Sequence, residues 1–337
     1  MDKKSVSFLL LGLAIGAVLT AGTFSLIIGS GSGSGQQKVV LKLAHVLPAS
    51  APVHKAMEFM AERAAEKSGG LIEIQVFPNG QLGSETETVE QTQRGALAMV
   101  KVSTAPMEGF IPEMALFSVP YLFRDEDHFW NVLEGEIGQD ILHKGAEVGL
   151  RGLCYYDSGA RSFYTVEKPV LTPADLEGMK IRVMRSKTAM DMIDTLGGSP
   201  TPIPFGELYT ALQQSMVDGA ENNPPSMYDT RHWEVAKHYS LDEHARIPDL
   251  VMMSRQIWDS LSPQEQQWLQ EAADESVEYQ KQIWADYVAE CMANLEKEGV
   301  SIYQPDKAPF QEMAQGMYGN FDGTPVEGLI KQVQNIK

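Results

Sequence analysis

Cysteine is scarce in this chain of 337 residues, which contains Cys154 and Cys291 and no others. The two residues are far apart and belong to no C-x-x-C motif, so the sequence predicts no zinc site. They could form one disulfide in an oxidising compartment, whereas two buried free thiols are the commoner state of isolated cysteines. We favour the buried thiols and keep the disulfide as the alternative.

Basic residues are also in short supply. Lys and Arg total 27 against 45 Asp and Glu, which gives a formal net charge of -18. Because phosphates would repel such a chain at long range, the composition argues against nucleic acid and anionic lipid as partners. A small anion can still bind, provided that a few cations gather at one place.

Catalytic and cofactor motifs are missing as well. The seven histidines form no H-E-x-x-H pair, and there is neither a G-x-S-x-G nucleophile turn nor a phosphate-binding loop. The glycines between residues 29 and 35 lack the strand and helix that a dinucleotide site requires. The sequence therefore predicts a protein without catalytic residues, metal or cofactor.

The first residues have the order of an export segment. Lys3 and Lys4 precede an apolar run from Phe8 to Ile28, and basic residues followed by an apolar run are typical of secretory signals. The run is long enough to span a bilayer, so residues 1–28 are interpreted as a cleaved signal or a retained N-terminal anchor. Residues 29–37 follow as a Gly/Ser linker. Either alternative places the rest of the chain in the periplasm.

From residue 38 onward, short apolar runs alternate with helical patterns. The first half predicts the order β-α-β-α-β, with elements at 39–45, 52–67, 72–77, 85–94 and 98–103. This order is typical of a parallel sheet with helices on both faces. Ligands of such sheets lie at the carboxyl ends of the strands, which here are His45, residues 78–85 and residues 103–106.

A second α/β stretch begins near Gly149. It predicts strands at 153–156, 162–165 and 180–183 and helices at 189–196 and 205–215. Ser262 and Pro263 then form a good N-cap and first-turn pair, which opens a helix that runs to about residue 298. Its predicted buried positions are Trp268, Leu269, Ala272, Val277, Ile283, Trp284 and Tyr287.

These patterns predict an α/β fold of two lobes that are linked by crossing strands and braced by the long helix. Lobe 1 is expected to cover about 38–157 with part of 235–255. Lobe 2 is expected to cover about 158–235 with part of the C-terminal helices, and the two make up a binding domain at 38–337. Because small ligands often bind in the cleft between two lobes, a binding protein is the first functional expectation.

Two arginines stand out in a chain that is short of cations. Arg182 lies on a predicted strand between Ile181 and Val183, so its side chain points to the opposite face from both. If those neighbours are core residues, Arg182 faces a cleft or pairs with a buried acid. Arg161 lies in the segment 158–165, near another strand. A planar guanidinium can bind a carboxylate through two parallel hydrogen bonds, so both arginines are candidate contacts for an organic acid.

The segment 218–226 is the third notable feature. Pro224 and Pro225 prevent regular continuation, so Asn222 and Asn223 must lie at a strand end or turn. An asparagine side chain offers donors and an acceptor for hydroxyls or a carboxylate. The alternative is a helix cap before Pro224.

Several segments resemble the substrate-binding subunits of tripartite ATP-independent periplasmic (TRAP) transporters, from Val39 to the C-terminus. Among them are Phe-Pro-Asn-Gly-Gln-Leu-Gly at 77–83, Lys-Ile-Arg-Val at 180–183 and Val-Asp-Gly-Ala-Glu-Asn at 217–222. Further matches, in the same order and at similar spacings, lie at 112–115, 119–123, 176–179, 198–202 and 205–213. The resemblance implies the two-lobed periplasmic binding protein fold.

The resemblance also implies roles for individual residues. Arg182 corresponds to the arginine that clamps the ligand carboxylate, and Arg161 to a second arginine that precedes it by about twenty residues. The other positions that correspond to ligand contacts or pocket walls are Asn222, Glu85, His45, Phe205 and His244. For His45, Glu85 and His244 a structural role stays open.

Residues 221–226 and 239–244 resemble members that bind sugar acids, notably hexuronates. One carboxylate would meet Arg182, and hydroxyls could meet Glu85, Asn222, Asn223, His45 and His244. Arg185 stands where a smaller polar residue is expected, and could reach a second carboxylate or point outward. C4-dicarboxylates and other hydroxy acids therefore stay open.

The expected partners are a small organic acid and the membrane subunits of a TRAP transporter, with the chain itself a monomer. Two alternatives differ in class. An exported lyase or isomerase of sugar acids would need a base near the ligand, and His45 or His244 could serve. A ligand sensor tethered by a retained N-terminal segment is the other.

Overall fold

The structure is a computed structural model that describes residues 38–336. The predicted export segment at 1–28 and linker at 29–37 lie outside the described residues. Between residues 38 and 336, no helix has the length and hydropathy that crossing a membrane requires.

Five strands form the first sheet: β1 (Val39–Ala44), β2 (Ile72–Phe77), β3 (Met99–Ser103), β4 (Leu150–Tyr156) and β10 (Asp249–Ser254). Their spatial order is β2-β1-β3-β10-β4. β1 pairs in parallel with β2 and β3, as the β-α-β-α-β pattern predicts. β10 pairs antiparallel with β3 and β4, so the complete sheet is mixed.

Six strands form the second sheet: β5 (Ala160–Thr165), β6 (Lys180–Val183), β7 (Ser199–Pro202), β8 (Gly219–Asn222), β9 (His238–Arg246) and β11 (Ser301–Tyr303). Their order is β11-β9-β5-β8-β6-β7. β5 is antiparallel to β8 and β9, whereas β6 is parallel to β7 and β8. The cation-bearing β5 and β6 therefore both lie next to β8.

Helices connect and cover the two sheets. The α-helices are α1 (Pro52–Lys67), α2 (Glu85–Gln93), α3 (Thr104–Met107), α4 (Glu126–Glu134), α5 (Glu136–His143), α6 (Lys187–Thr195), α7 (Leu208–Gln213), α8 (Pro224–Asp229), α9 (Arg255–Ser260), α10 (Pro263–Lys297), α11 (Ala308–Gln315) and α12 (Pro325–Asn335). The 3-10 helices are Pro112–Ser118, Lys144–Val148, Pro173–Leu176, Phe205–Glu207, His232–Glu234 and Tyr318–Phe321.

The predicted element boundaries are best where the sequence carries its own stop signals. α1 begins at Pro52, buries Met57, Met60 and Ala64 against the first sheet, and ends before two glycines with positive φ. The bounds of α1, β2 and β6 are confirmed. The predicted helix at 205–215 is wrong in part, since it divides into the 3-10 turn Phe205–Glu207 and the shorter α7.

The chain crosses from one sheet to the other at two neighbouring connections between strands. β4 ends at Tyr156 and β5 begins at Ala160, while β9 ends at Arg246 and β10 begins at Asp249. The crossings lie side by side, because Asp249 pairs with Tyr156 and Ala160 with Arg246. The predicted two-lobed α/β fold with crossing strands is confirmed. We call the half built on the first sheet lobe 1 and the half built on the second sheet lobe 2.

The long helix α10 contacts both lobes: it packs on α1 and β4 of lobe 1 and on α8 of lobe 2. Ser262 caps it, because the hydroxyl accepts from Glu265 N and the Glu265 carboxylate accepts from Ser262 N. The amide of Gln280 bonds both the N–H and the C=O of Asp157, each at 3.0 Å. The predicted brace therefore holds one of the crossing segments directly.

Burial along α10 follows the prediction in part. Leu269, Ala272 and Trp284 are buried as predicted. The other four predicted positions are half-buried, because α10 lies on the outside of the lobes and only one side of it is covered: Trp268, Val277, Ile283 and Tyr287. The covered side also includes Ser276 and Gln280, whose polar groups bond to β4 and the crossing segment.

Cys154 on β4 and Cys291 on α10 are both buried free thiols. Burial raises the pKa of each thiol to about 12. Neither thiol therefore ionises near neutral pH, and the favoured interpretation of the two cysteines agrees with the structure.

Gly159 lies in the first crossing with φ +62, and a Cβ at this position would be 3.2 Å from Trp284 Cζ2. We expect Gly159→Ala to destabilise the protein by about 2 kcal/mol, since the backbone conformation and the Trp284 contact both oppose it. Gly178 is the matched control, because it has φ +76 and nothing within 4 Å of its added Cβ. Gly178→Ala should cost about 1 kcal/mol in urea unfolding, and equal costs at both sites would contradict a brace at Trp284.

Candidate functional site

A cavity opens between the lobes, at the carboxyl ends of β1, β3, β6 and β8. It holds about 610 Å³ of empty space, including the part that is open to solvent, and sites for small organic ligands have volumes of this order. Both lobes supply polar walls: Glu85, Lys101, Ser103 and Asp249 from lobe 1, and Arg161, Arg182, Asn222 and Asn223 from lobe 2.

Arg182 lies on β6 with both flanking residues, Ile181 and Val183, buried in the core. Its guanidinium faces the cavity, although the side chain is only 2% exposed. Nε donates to the carbonyl of Ile203 at 2.8 Å, and the guanidinium carbon lies 5.8 Å from the centre of the Phe205 ring. Nη1 has no hydrogen-bond partner in the described part of the chain. Burial lowers the pKa of Arg182, which is the cost of an ion without an adjacent counter-ion.

Arg161, on β5, is equally buried but has an acid partner. Nε and Nη2 bond the two carboxylate oxygens of Glu221, at 2.5 and 2.9 Å, and Nη1 donates to the Asn222 side chain at 2.8 Å. Burial would lower the pKa of Arg161, but the Glu221 carboxylate outweighs it and raises that pKa. Arg161 thus lines the cavity with most of its donors already in use, and its predicted ligand contact stays a prediction.

His244 lies behind this pair instead of at the cavity wall. Its Nδ1 is 2.8 Å from Asp242 Oδ2 and its Nε2 is 3.5 Å from Glu221 Oε2. Burial alone would lower the pKa of His244, but Asp242 and Glu221 raise it to about 9. The structure therefore gives His244 the role of a buried cation between two carboxylates, which is the structural alternative that the sequence analysis left open.

His45 is also buried and absent from the cavity lining. Its Nδ1 accepts from Leu47 N at 3.1 Å, which leaves the hydrogen on Nε2 to donate to His54 Nδ1 at 2.9 Å. His54 Nε2 in turn is 3.1 Å from Glu58. Burial, with the charge of Lys101, lowers the pKa of His45 to about 2. The ring thus fixes the loop after β1, whose residues Val46 and Leu47 line the cavity.

The side chains of Asn222 and Asn223 differ in whether they have a hydrogen-bonding group left for a ligand. Asn222 ends β8, and its side-chain oxygen accepts from Arg161 and from Asn223 N, while its amide nitrogen has no partner among residues 38–336. Asn223 caps α8: its oxygen accepts from Ser226 N, and its nitrogen donates to the carbonyl of Ser158. Asn222 is therefore free to donate into the cavity, whereas the cap that sequence analysis assigned as the alternative is formed by Asn223.

Glu85 begins α2 and lines the cavity, as predicted. Its carboxylate accepts from Ser103 N at 3.1 Å, and burial raises its pKa. Three further ionisable residues of the cavity were missed by sequence reasoning, namely Lys101 on β3, Asp229 on α8 and Asp249 on β10. Lys101 stands between Val100 and Val102, so the alternation that singled out Arg182 could have found it.

Phe205 separates the cavity from a wider outer cleft, whose walls include Arg185 and Glu207. Phe205 lies at the predicted wall position and contacts the Arg182 guanidinium face. Arg185 is exposed and forms no ion pair within the described residues, so the structure points it outward into the outer cleft.

The two histidines that an exported enzyme could use as a base do not line the cavity. These are His45 and His244, and the pKa of His45 is too low for it to accept a proton near neutral pH. Residues 38–336 contain no group of three His, Cys, Asp or Glu side chains that could hold a metal ion.

The bacterial extracellular solute-binding protein model, family 7, matches residues 43–324. The chain belongs to this family. A solute-binding protein of Chromohalobacter salexigens is 36% identical over 296 residues, which are 87% of this chain and 88% of the relative. Membership confirms the resemblance and assigns the chain to extracytoplasmic solute-binding proteins.

Solved structures of TRAP periplasmic solute-binding proteins are similar throughout the described region. One from a Bradyrhizobium species, in complex with D-galacturonate, is 42% identical with a TM-score of 0.86 and covers 88% of this chain and 99% of its own. One from Roseobacter denitrificans, with bound β-D-glucuronate, is 39% identical with a TM-score of 0.86 and covers 88% of this chain and 100% of its own.

The network around His244 should make the stability of this solute-binding protein depend on pH. Folding raises the pKa of His244 from 6.5 to about 9, so its stabilisation is complete below pH 6.5 and is lost as the pH rises through 9. Burial would raise the pKa of Glu221, but Arg161 and His244 hold it at about 2, so the contribution of Glu221 is constant over this range. A shift of this size in His244 corresponds to about 3 kcal/mol in the free energy of unfolding.

We therefore expect the wild type to lose stability between about pH 6 and about pH 9.5, and His244→Gln to lose much less. Urea unfolding at a series of pH values measures both slopes. His143→Gln, at an exposed position on α5, is the control and should keep the wild-type slope. An unchanged slope in His244→Gln would show that this network does not set the pH dependence.

Proposed function

We propose that this chain is the solute-binding subunit of a TRAP transporter and captures a hexuronate such as D-galacturonate or D-glucuronate. The observation that carries the proposal is the buried guanidinium of Arg182, which faces the cavity without a carboxylate partner in residues 38–336. The class of acid is supported by the bound ligands of the similar structures. The membrane subunits are the proposed recipients of the bound acid.

The carboxylate of the ligand completes the ion pair that Arg182 lacks. Its oxygens accept from Nη1 of Arg182 and from the amide nitrogen of Asn222, both of which have no hydrogen-bond partner within residues 38–336. Phe205 covers the guanidinium face and excludes water from that side. In such a buried setting, a charge-assisted pair is stronger than at the surface, because less solvent screens it.

The lobes also contact each other directly beside the cavity. Glu108 of lobe 1 accepts from the Ser186 hydroxyl at 2.6 Å and from Thr188 N at 3.1 Å, both at the start of α6 in lobe 2. A carboxylate is favoured at a helix N-terminus, where free N–H groups meet it. The contact joins the two lobes, and we propose that it stabilises the closed, ligand-bound form.

Arg182→Met tests the proposed function. The variant should unfold at the same or a higher temperature than the wild type without ligand, because it removes a buried charge that lacks an adjacent acid. Its affinity for D-galacturonate in isothermal titration calorimetry should fall by at least about 100-fold. Arg94→Met, which removes an exposed arginine side chain, is the control for net charge. Wild-type affinity in Arg182→Met would refute the assignment.

Glu108→Gln tests the contact between the lobes without touching the cavity. We expect the affinity for D-galacturonate to fall by about tenfold, mainly through faster dissociation, since one charge-assisted bond of the closed form is weakened. Glu113→Gln is the matched control, because Glu113 pairs with Lys144 inside lobe 1. Stopped-flow dissociation rates that are equal in both variants would contradict the proposed role.

A further inference from the structure

Lys101 is a third strand-borne cation at the cavity, beside Arg161 and Arg182, and it lies on the lobe that faces those two. It lies on β3 between Val100 and Val102, which are both in the core, and its own side chain is 2% exposed. Nζ is 2.7 Å from Asp249 Oδ2 and 4.0 Å from Glu85 Oε1. Lys101 and both acids line the cavity, so Lys101, unlike Arg182, has acid partners there.

The charged side chains that line the cavity divide into those with a partner of opposite charge and those without one. Arg161 is neutralised by Glu221 behind it, and Lys101 by Asp249. Of the cations that line the cavity, Arg182 has no acid partner among the described residues. Of the lining acids, Glu85 is 4.0 Å from Lys101, and Asp229 accepts from the Tyr287 hydroxyl and forms no ion pair within residues 38–336. The cavity therefore has a place for one carboxylate, and its remaining surface is neutral or acidic.

The Lys101–Asp249 pair offers both hydrogen-bond donors and hydrogen-bond acceptors, and a hydroxyl group can use both. The ammonium has three donors, of which Asp249 uses one, and the Asp249 carboxylate keeps acceptor capacity beyond its bond to Lys101. Two adjacent hydroxyls, each of which both donates and accepts, match a donor and an acceptor held 2.7 Å apart. A carboxylate at the same place would match Lys101 but would meet Asp249 and Glu85 at close range in a buried site, where like charges are costly.

We propose that Lys101 and Asp249 form a hydroxyl-binding subsite that makes the cavity select acids with one carboxylate over dicarboxylates of the same length. This inference rests on the proposed function, because it takes the carboxylate of the ligand to lie at Arg182. It assigns the choice between sugar acids and dicarboxylates, which the sequence left open, to two residues of lobe 1.

The test is a comparison of D-galacturonate with D-glucarate, a six-carbon acid with a carboxylate at each end, by isothermal titration calorimetry. D-Gluconate, which has the open chain of glucarate but one carboxylate, separates the effect of ring opening from that of the second charge. The wild type should bind glucarate at least about 100-fold more weakly than galacturonate. Wild-type affinities for the two within about threefold would overturn the inference and leave the hexuronate proposal intact.

Asp249→Asn gives a second readout that a merely structural role would not move. It removes the charge that neutralises Lys101, so the ratio of galacturonate to glucarate affinity should narrow by at least about tenfold. Glu85→Gln removes the other acid near Lys101 and should change the ratio in the same direction, which keeps the test available if Asp249→Asn does not fold. Equal losses for both acids in these variants would overturn the subsite. A wild type that binds none of the three acids refutes the proposed function, and the inference with it.

Discussion

The arrangement of the cavity depends on one unbalanced charge, the guanidinium of Arg182. Burying an ion without an adjacent counter-ion costs several kcal/mol, and the burial that lowers the pKa of Arg182 reflects this cost. The fold maintains it because β6 is short, is fixed between β7 and β8, and buries Ile181 and Val183 on its other face. Arg182 therefore cannot turn away without exposing core. In the proposed binding mode, the carboxylate of the ligand is the counter-ion that the protein does not provide for Arg182.

The other buried charges of lobe 2 are balanced within the protein. Arg161, Glu221, His244 and Asp242 alternate in sign along one chain of contacts, so the group as a whole is neutral when His244 is protonated. This balance has a structural consequence, since a second unpaired cation next to Arg182 would repel it. The network also ties β5, β8 and β9 together at the crossing, where Gln280 and Trp284 of α10 hold the connecting segment.

The sequence predicts most reliably what is decided locally. The bounds of α1, β2 and β6 follow from alternation and from adjacent glycine or proline, and Ser262 marks the start of α10. Side-chain contacts are beyond such patterns: the His45 ring bonds His54, and the His244 ring lies between Asp242 and Glu221. For both histidines the sequence left a structural role open beside a ligand contact, and only the fold shows these partners. Lys101 is a different case. Its position between two valines is visible in the sequence, but its proposed role depends on Asp249 of β10, which only the fold places beside it.

The two lobes divide recognition between them, and this division links binding to closure. Lobe 2 carries the unbalanced cation and the free amide of Asn222, whereas lobe 1 carries the neutral Lys101–Asp249 pair. In the proposed binding mode, an acid that touches lobe 2 alone gains the ion pair but leaves it exposed to water, where it is worth little. Its hydroxyls reach lobe 1 only when the lobes approach, and the same approach brings Glu108 to α6 and excludes water from Arg182. The same contacts then contribute to affinity and to closure. An acid that cannot form hydrogen bonds with the Lys101–Asp249 pair of lobe 1 would bind weakly and would also fail to hold the protein closed.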